Sequence, residues 1–103
     1  MKVEIKKSNQ PKKKLMAIFY DQDKKIKTTH FGSAPNKDFT IYSKENKKLA
    51  DERKKLYLDR HRERENWNDF KSAGSLSRYI LWNKSTIEAS KKDYAKRFNL
   101  TLI

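Results

Sequence analysis

A run of six apolar residues, Leu15–Tyr20, is the feature that most constrains the fold of this chain. The β-branched and aromatic side chains in its second half favour a strand that is buried on both faces. The next residues, Asp21–Lys24, have the composition of a turn, and Lys25–Phe31 then alternates between two faces. Two strands joined by a four-residue turn predict a β-hairpin.

A third strand is expected before this hairpin. Met1–Lys7 places Val3 and Ile5 on one side and charged residues on the other, which is a short strand pattern. A lone hairpin is marginally stable in water, so we predict that this strand joins the sheet. Ser8–Lys14 contains Pro11 and a lysine triplet and is predicted to form an exposed loop.

The middle of the chain predicts one long helix. It is expected to run from about Lys44 to about Arg64, because this stretch has no Gly, Pro or β-branched residue. Asp38–Tyr42 is predicted to dock on the sheet as an extended segment. Thr40 or Ser43 can then cap the helix, since both carry a hydroxyl acceptor.

Two shorter helices are predicted in the last third. Ser75 follows a glycine and can cap a helix over Leu76–Trp82. Ser85–Glu88 fits a capping box, in which the Ser and Glu side chains satisfy each other's backbone donors. The last helix should therefore run from Thr86 to about Phe98.

A chain of 103 residues has room for one small domain. The predicted class is α+β: a small N-terminal antiparallel β-hairpin or three-stranded sheet, followed by a long helix and two shorter helices. Residues 1–13 and 99–103 are expected at mobile edges, and 99–103 forms either a tail or a closing strand.

The positive charge points to the partner. Lys and Arg number 26 and Asp and Glu 13, so the net charge is +13, which predicts a polyanionic partner. Codon bias and solubility can also produce a lysine-rich surface.

With no Cys and only two Gly, the chain offers no disulfide, thiolate zinc site, Cys nucleophile or glycine-rich phosphate loop. No apolar run approaches the roughly 20 residues of a membrane span, and neither a cofactor nor a membrane partner is predicted.

Arginines are the best candidates for positioned phosphate contacts. Arg53, Arg60 and Arg64 lie at positions i, i+7 and i+11, one stripe along a helix that continues to residue 64. Such a stripe can follow a phosphate backbone, because Arg contacts phosphate in a bidentate way. Equally, the carboxylates of Asp59, Glu63 and Glu65 can pair with these arginines on a solvated helix face. Together with the lysine clusters, the predicted nucleic-acid-binding residues are Lys12, Lys13, Lys14, Lys24, Lys25, Lys27, Arg53, Arg60, Arg62, Arg64, Lys91 and Lys92.

Catalysis is not predicted. His61 lies near Asp59 and Glu63, but a second His with ligand spacing is missing, so no metal site is expected. The serines are expected to be caps rather than nucleophiles, because none has a plausible His partner in the sequence.

The large aromatic residues are expected to build the core, because few other large apolar side chains are available. Trp67 and Phe70 are predicted to anchor the irregular stretch between the long helix and the two short ones. The alternative is that some aromatic side chains stack on nucleobases beside the basic residues. The residues to which it applies are Trp67, Tyr79, Trp82 and Tyr94.

Two motifs carry a family resemblance. Arg-His-x-x-Arg-Glu-Asn-Trp spans Arg60–Trp67, and Ile-Leu-Trp-Asn spans Ile80–Asn83. With them, the chain from about residue 14 to Phe98 resembles a family of short uncharacterised basic proteins encoded by giant and algal nucleocytoplasmic large DNA viruses. Where the family motif has a Tyr before the Thr, this chain has Phe39. The resemblance implies a viral source and residence in the virion or the viral factory of the host cell, and it carries over no catalytic residues.

The leading hypothesis combines this resemblance with the charge. It is a non-enzymatic, sequence-independent DNA-binding protein that condenses or packages a large viral genome. Its expected partner is nucleic acid, above all double-stranded DNA, with other virion proteins or a second copy of the chain as further partners. The alternative is an internal capsid or core component that binds acidic protein surfaces, with Trp67 or Trp82 as the anchor.

Overall fold

The structure, a computed structural model, describes every residue from Met1 to Ile103. It confirms the α+β class, with strands first and helices after them. None of the helices combines the length and the hydropathy that a membrane span requires. The elements are β1 (Lys2–Lys7), β2 (Lys13–Asp21), β3 (Lys24–Ser33), α1 (Phe39–Glu45), α2 (Lys47–His61), α3 (Ala73–Leu76), a π-helical turn (Ser77–Leu81), α4 (Ile87–Arg97) and β4 (Thr101–Leu102).

The four strands form one mixed sheet in the order β3-β2-β1-β4. β1 is antiparallel to β2, with Val3 opposite Phe19 and Ile5 opposite Ala17, and β3 pairs antiparallel with the other side of β2. These four side chains are buried, so one face of the sheet lies against the core. β4 pairs in parallel with β1, which makes β1 an inner strand. Both segments expected at mobile edges therefore contribute strands to the sheet.

The hairpin turn is tighter than the sequence predicts. β2 extends through Asp21 and β3 begins at Lys24, so Gln22 and Asp23 alone connect the strands. Both have positive φ angles, of 51° and 63°, as a two-residue type I′ turn requires. This turn suits the right-handed twist of the paired strands, which explains why the ladder continues further than composition suggests.

The core lies between the inner face of the sheet and the second half of the chain. Tyr94 of α4 is fully buried, and its hydroxyl donates a hydrogen bond to the carbonyl of Phe70. The Phe70 ring lies 5.9 Å from that of Phe19. The predictions of Phe70 as an anchor and Tyr94 as a core residue are confirmed. The nine buried residues of the core are Val3, Ile5, Ala17, Phe19, Phe31, Leu76, Ile80, Leu81 and Tyr94.

The segment after β3 is helical, so the prediction of an extended Asp38–Tyr42 is wrong. Asp38 is the N-cap of α1, and its carboxylate accepts hydrogen bonds from the backbone N–H groups of Thr40 and Ile41. The predicted caps Thr40 and Ser43 both lie inside α1. The Asp38 carboxylate satisfies the Thr40 N–H and shares the Ile41 N–H with the Asp38 backbone carbonyl, which favours a helix over an extended strand.

The predicted long helix is divided. Asn46 follows α1 with extended backbone, and its side chain caps α2 by accepting a hydrogen bond from the Leu49 N–H at 3.2 Å. α2 ends at His61, and Arg62 is its C-terminal cap. This break needs no Gly or Pro, because the Asn46 side chain can replace a backbone carbonyl as the acceptor for the Leu49 N–H. A search for Gly and Pro therefore missed it.

Both short helices have a different N-cap from the one predicted, three residues earlier for α3 and one residue later for α4. Ser72 caps α3 by accepting from the Ser75 N–H, whereas Ser75 is buried and donates its hydroxyl to the Asn66 carbonyl. Thr86, rather than Ser85, caps α4. Neighbouring hydroxyl residues fit the same local pattern, and packing decides which of them adopts the cap conformation.

We expect Gly32→Ala to lower the free energy of unfolding by about 1–3 kcal/mol. Gly32 has a φ of +80°, and an added Cβ would lie 2.7 Å from Leu81 Cδ1 and 3.2 Å from Lys14 Cβ. Urea denaturation of Gly32→Ala and of the exposed neighbouring control Ser33→Ala measures the effect. Equal stabilities of these two variants would contradict the prediction.

Candidate functional site

An open cleft of about 410 Å³ lies where the Lys13–Ser33 end of the β2–β3 hairpin meets α1, α2 and the π-helical turn. α2 contributes the largest share of its wall, and the loop between β3 and α1 closes one side. Lys and Arg outnumber Asp and Glu in this lining. The charged side chains are Lys13, Lys14, Lys37, Arg53, Arg60, Asp38 and Glu65.

Both carboxylates of the cleft already have partners. Asp38, whose side chain is 5% exposed, lies 2.7 Å from the ammonium of Lys14. Glu65 lies 3.6 Å from Nδ1 of His61, four residues earlier. Asp38 is therefore engaged by Lys14, and Glu65 forms no salt bridge with a Lys or Arg of the cleft.

Three cations of the cleft remain without a carboxylate. Lys13, Arg53 and Arg60 form no salt bridge, whereas Lys37 pairs with Glu45 at 2.9 Å. Arg53 and Arg60 are seven residues apart on α2, so they lie on one helix face about 10.5 Å apart along its axis. An anion in the cleft would meet these unpaired charges from both α2 and the hairpin.

Aromatic rings fill the space between these cations. The Tyr57 ring stacks on Trp82 with centroids 4.6 Å apart and an interplanar angle of 6°. His61 lies 4.4 Å from Tyr57 on the same helix, and Tyr42 lies 6.3 Å from Trp82. All four rings line the cleft and are partly exposed, so they join α1, α2 and the segment after the π-helical turn while remaining accessible.

Further positive charge lies close to this ring cluster. The Lys54 ammonium donates to the Asn83 carbonyl at 2.9 Å and lies 4.9 Å from the Phe39 ring centroid. Burial, followed by the charge of Lys84, lowers the pKa of Lys54. Asp51 opposes this lowering but does not outweigh burial and the neighbouring cation.

The structure brings four of the twelve predicted residues into the cleft. They are Lys13, Lys14, Arg53 and Arg60. Lys14 differs from the others because its ammonium is bound to Asp38 and is largely buried. Lys14 therefore has a structural contact, while the other three present unpaired charge.

The remaining eight predicted residues lie outside the cleft. The predicted arginine stripe is shorter than expected, because α2 ends before Arg64. Arg62 pairs with Asp59 at 3.3 Å, the one ion pair of the predicted arginine–carboxylate set, and Lys91 pairs with Glu88 at 3.4 Å. The others are exposed: Lys12 in the loop before β2, Lys24, Lys25 and Lys27 at the opposite end of the hairpin, and Lys92 on α4.

Lys37 and Tyr42 are cleft residues that the sequence did not single out. Both depend on α1, which turns Tyr42 toward Trp82 and leaves Lys37 just before the helix cap. The sequence signal that could have revealed α1 is Asp38, since Asp is among the strongest N-cap residues.

The two motifs behind the viral resemblance meet at this cleft. Arg60, His61 and Glu65 come from the first motif, and Leu81 and Trp82 from the second. Comparisons with protein-family models, with curated proteins and with solved structures give no match for this chain. Membership of the viral family therefore stays a prediction.

We expect Asp38→Ala to lower the free energy of unfolding by about 2–4 kcal/mol, because it removes the α1 cap and leaves the Lys14 charge without its partner. Asp38→Asn keeps an acceptor oxygen for the cap and should lose less. Chemical denaturation of both variants, with the exposed Asp51→Ala as control, measures the difference. Equal losses in Asp38→Ala and Asp51→Ala would contradict this assignment.

Alkaline pH should destabilise the ring cluster. Burial, with the Glu65 charge as a further cause, raises the pKa of Tyr57 to about 12. The unfolded chain loses this proton near pH 10, so the folded state binds more protons between pH 10 and 12. Stability therefore falls as the pH rises through this window.

Tyr57→Phe should remove this part of the pH dependence. Between pH 8 and pH 11, the free energy of unfolding of the wild type should fall by about 1 kcal/mol more than that of Tyr57→Phe. Urea denaturation at four pH values in this range provides the measurement. A difference that does not change with pH would mean that Tyr57 titrates normally.

Proposed function

We propose that this protein binds nucleic acid through backbone phosphates, without reading the base sequence and without catalysis. The observation that carries the proposal is the cleft, where Lys13, Arg53 and Arg60 converge and none of them forms a salt bridge. All three side chains are exposed and can reach a bound anion, and a phosphate supplies both the opposite charge and several acceptor oxygens.

Arginine geometry favours phosphate over a simple anion such as chloride. Each guanidinium presents a planar fork that can bind two phosphate oxygens at once. Arg53 and Arg60 extend from one rigid helix, so they suit a ligand with more than one phosphate. A nucleic-acid backbone has this repeating charge.

The exposed lysines outside the cleft add long-range attraction. The net charge of +13 includes the hairpin-tip residues Lys24, Lys25 and Lys27, which lie far from the cleft along β2 and β3. Such charge concentrates a polyanion near the surface and releases its counterions on contact. The proposed biological role is the condensation or packaging of a large viral DNA genome in the virion or viral factory. It is supported by the resemblance together with this charge.

Binding to acidic protein surfaces is the competing proposal, and it has weaker support. Its expected anchors are Trp67 and Trp82. Arg78 lies 3.9 Å from the centre of the Trp67 ring, and Trp82 stacks on Tyr57. Trp67 is therefore already engaged within the protein, and Trp82 is a ring of the cationic cleft and does not by itself favour a protein partner.

Salt-dependent binding to a random-sequence duplex tests the proposal. We expect a steep decrease of affinity with salt, with a log–log slope of about −0.9 for each phosphate neutralised. Fluorescence anisotropy at several salt concentrations measures the slope. A slope near zero would contradict the phosphate-binding proposal and would favour an acidic protein partner.

A charge-matched pair of variants tests the role of the cleft. Arg53→Gln/Arg60→Gln should reduce the magnitude of the slope by about 2, since two phosphate contacts are lost. Lys24→Gln/Lys25→Gln removes the same charge at the far end of the hairpin and should change it by less than about 1. Equal effects would show that binding is diffuse and not centred on the cleft.

A further inference from the structure

The cleft combines two features that a site for intact duplex does not need: it is concave, and it exposes aromatic rings between its cations. We infer that it holds an unpaired nucleic-acid strand, with phosphates at Arg53 and Arg60 and a nucleobase against the ring cluster of Tyr42, Tyr57 and Trp82. This inference rests on the proposed function and names the form of nucleic acid that the cleft takes.

The order of residues along α2 supports this arrangement. Arg53, Tyr57 and Arg60 lie at positions i, i+4 and i+7, so the tyrosine lies between the two guanidinium groups on one helix face. The Tyr57 ring is itself covered by Trp82 and His61. A strand that follows this face would therefore place its base against Tyr42 or the outer side of Trp82, with phosphates at the two arginines. Single-strand binding sites combine a cationic track with stacking rings in this way.

The size of the cleft also favours an unpaired strand. A volume of about 410 Å³ is in the range of sites for small organic ligands, and leaves room for a nucleotide-sized group. In a duplex each base is paired and stacked, so its faces are not available to rings inside a concave site. A duplex can place phosphates at Arg53 and Arg60, but it offers no free base to the rings.

Sequence independence follows from the same chemistry. Every nucleobase has a π face, so stacking on Tyr42 or Trp82 does not distinguish one base from another. The mixture of partly exposed rings and unpaired cations therefore suits a strand of any sequence.

Competing strand forms provide the test. Purified protein is titrated with a single-stranded 12-nucleotide thymidine oligomer, a 12-base-pair duplex and thymidine monophosphate, all at one salt concentration. We expect the single strand to bind more tightly than the duplex, and the monophosphate to displace it at high concentration.

Tyr42→Leu should weaken single-strand binding about tenfold and duplex binding much less, because only the unpaired strand offers a base to stack. The control Tyr20→Leu, a partly buried tyrosine on β2 outside the cleft, should change neither. Thermal unfolding establishes that both variants are folded. If Tyr42→Leu leaves single-strand binding intact, or weakens both forms equally, the inference is wrong while salt-dependent duplex binding still supports the proposed function. If no nucleic acid binds, the proposed function itself fails.

Trp82 provides a second readout that does not depend on Tyr42→Leu. In Trp67→Phe, Trp82 is the only tryptophan, because the chain has two. The single strand should quench its fluorescence and shift its emission, since a base stacked in the cleft would lie beside the indole. Binding without any change of this emission would overturn the proposed position of the base.

Discussion

The contact between Asp38 and Lys14 joins the first helix to the sheet. Asp38 caps α1 and also binds the ammonium that rises from β2, so one carboxylate starts the helix and joins it to the sheet. The adjacent Gly32 leaves the space that Lys14 and Leu81 occupy. The cleft depends on this junction, because its walls come from the elements that the contact holds together.

The same aromatic side chains serve stability and the candidate site. A chain with 35% hydrophobic residues has few side chains to spare for its core, so Tyr57 and Trp82 pack α2 against the segment that follows the π-helical turn. Because the core is thin, these rings also reach the cleft surface. Any ligand that stacks on them would therefore reinforce the contacts that hold α2 in place.

Short-range patterns predicted most of the elements but not their boundaries. Alternation of apolar and polar residues located β1 and β3, since the pleat of a strand imposes that period on the sequence, and a continuous apolar run located β2. The helix boundaries were harder because several capping side chains compete locally. Asn46 divides the predicted long helix, and Ser72 and Thr86 take the cap positions expected of Ser75 and Ser85. Only the packing of each helix selects among such neighbours.

The sequence by itself determined the class of fold, the apolar face of the sheet and the excess of positive charge, because these depend on composition and local periodicity. The tertiary structure decided which charges act together. Lys13 and Arg60 are distant in sequence yet line one cleft, whereas Arg64, close to Arg60 in sequence, lies beyond the end of α2. Composition counts charges, but only folding sets the distances between them and removes those that become paired, as Asp38 does for Lys14.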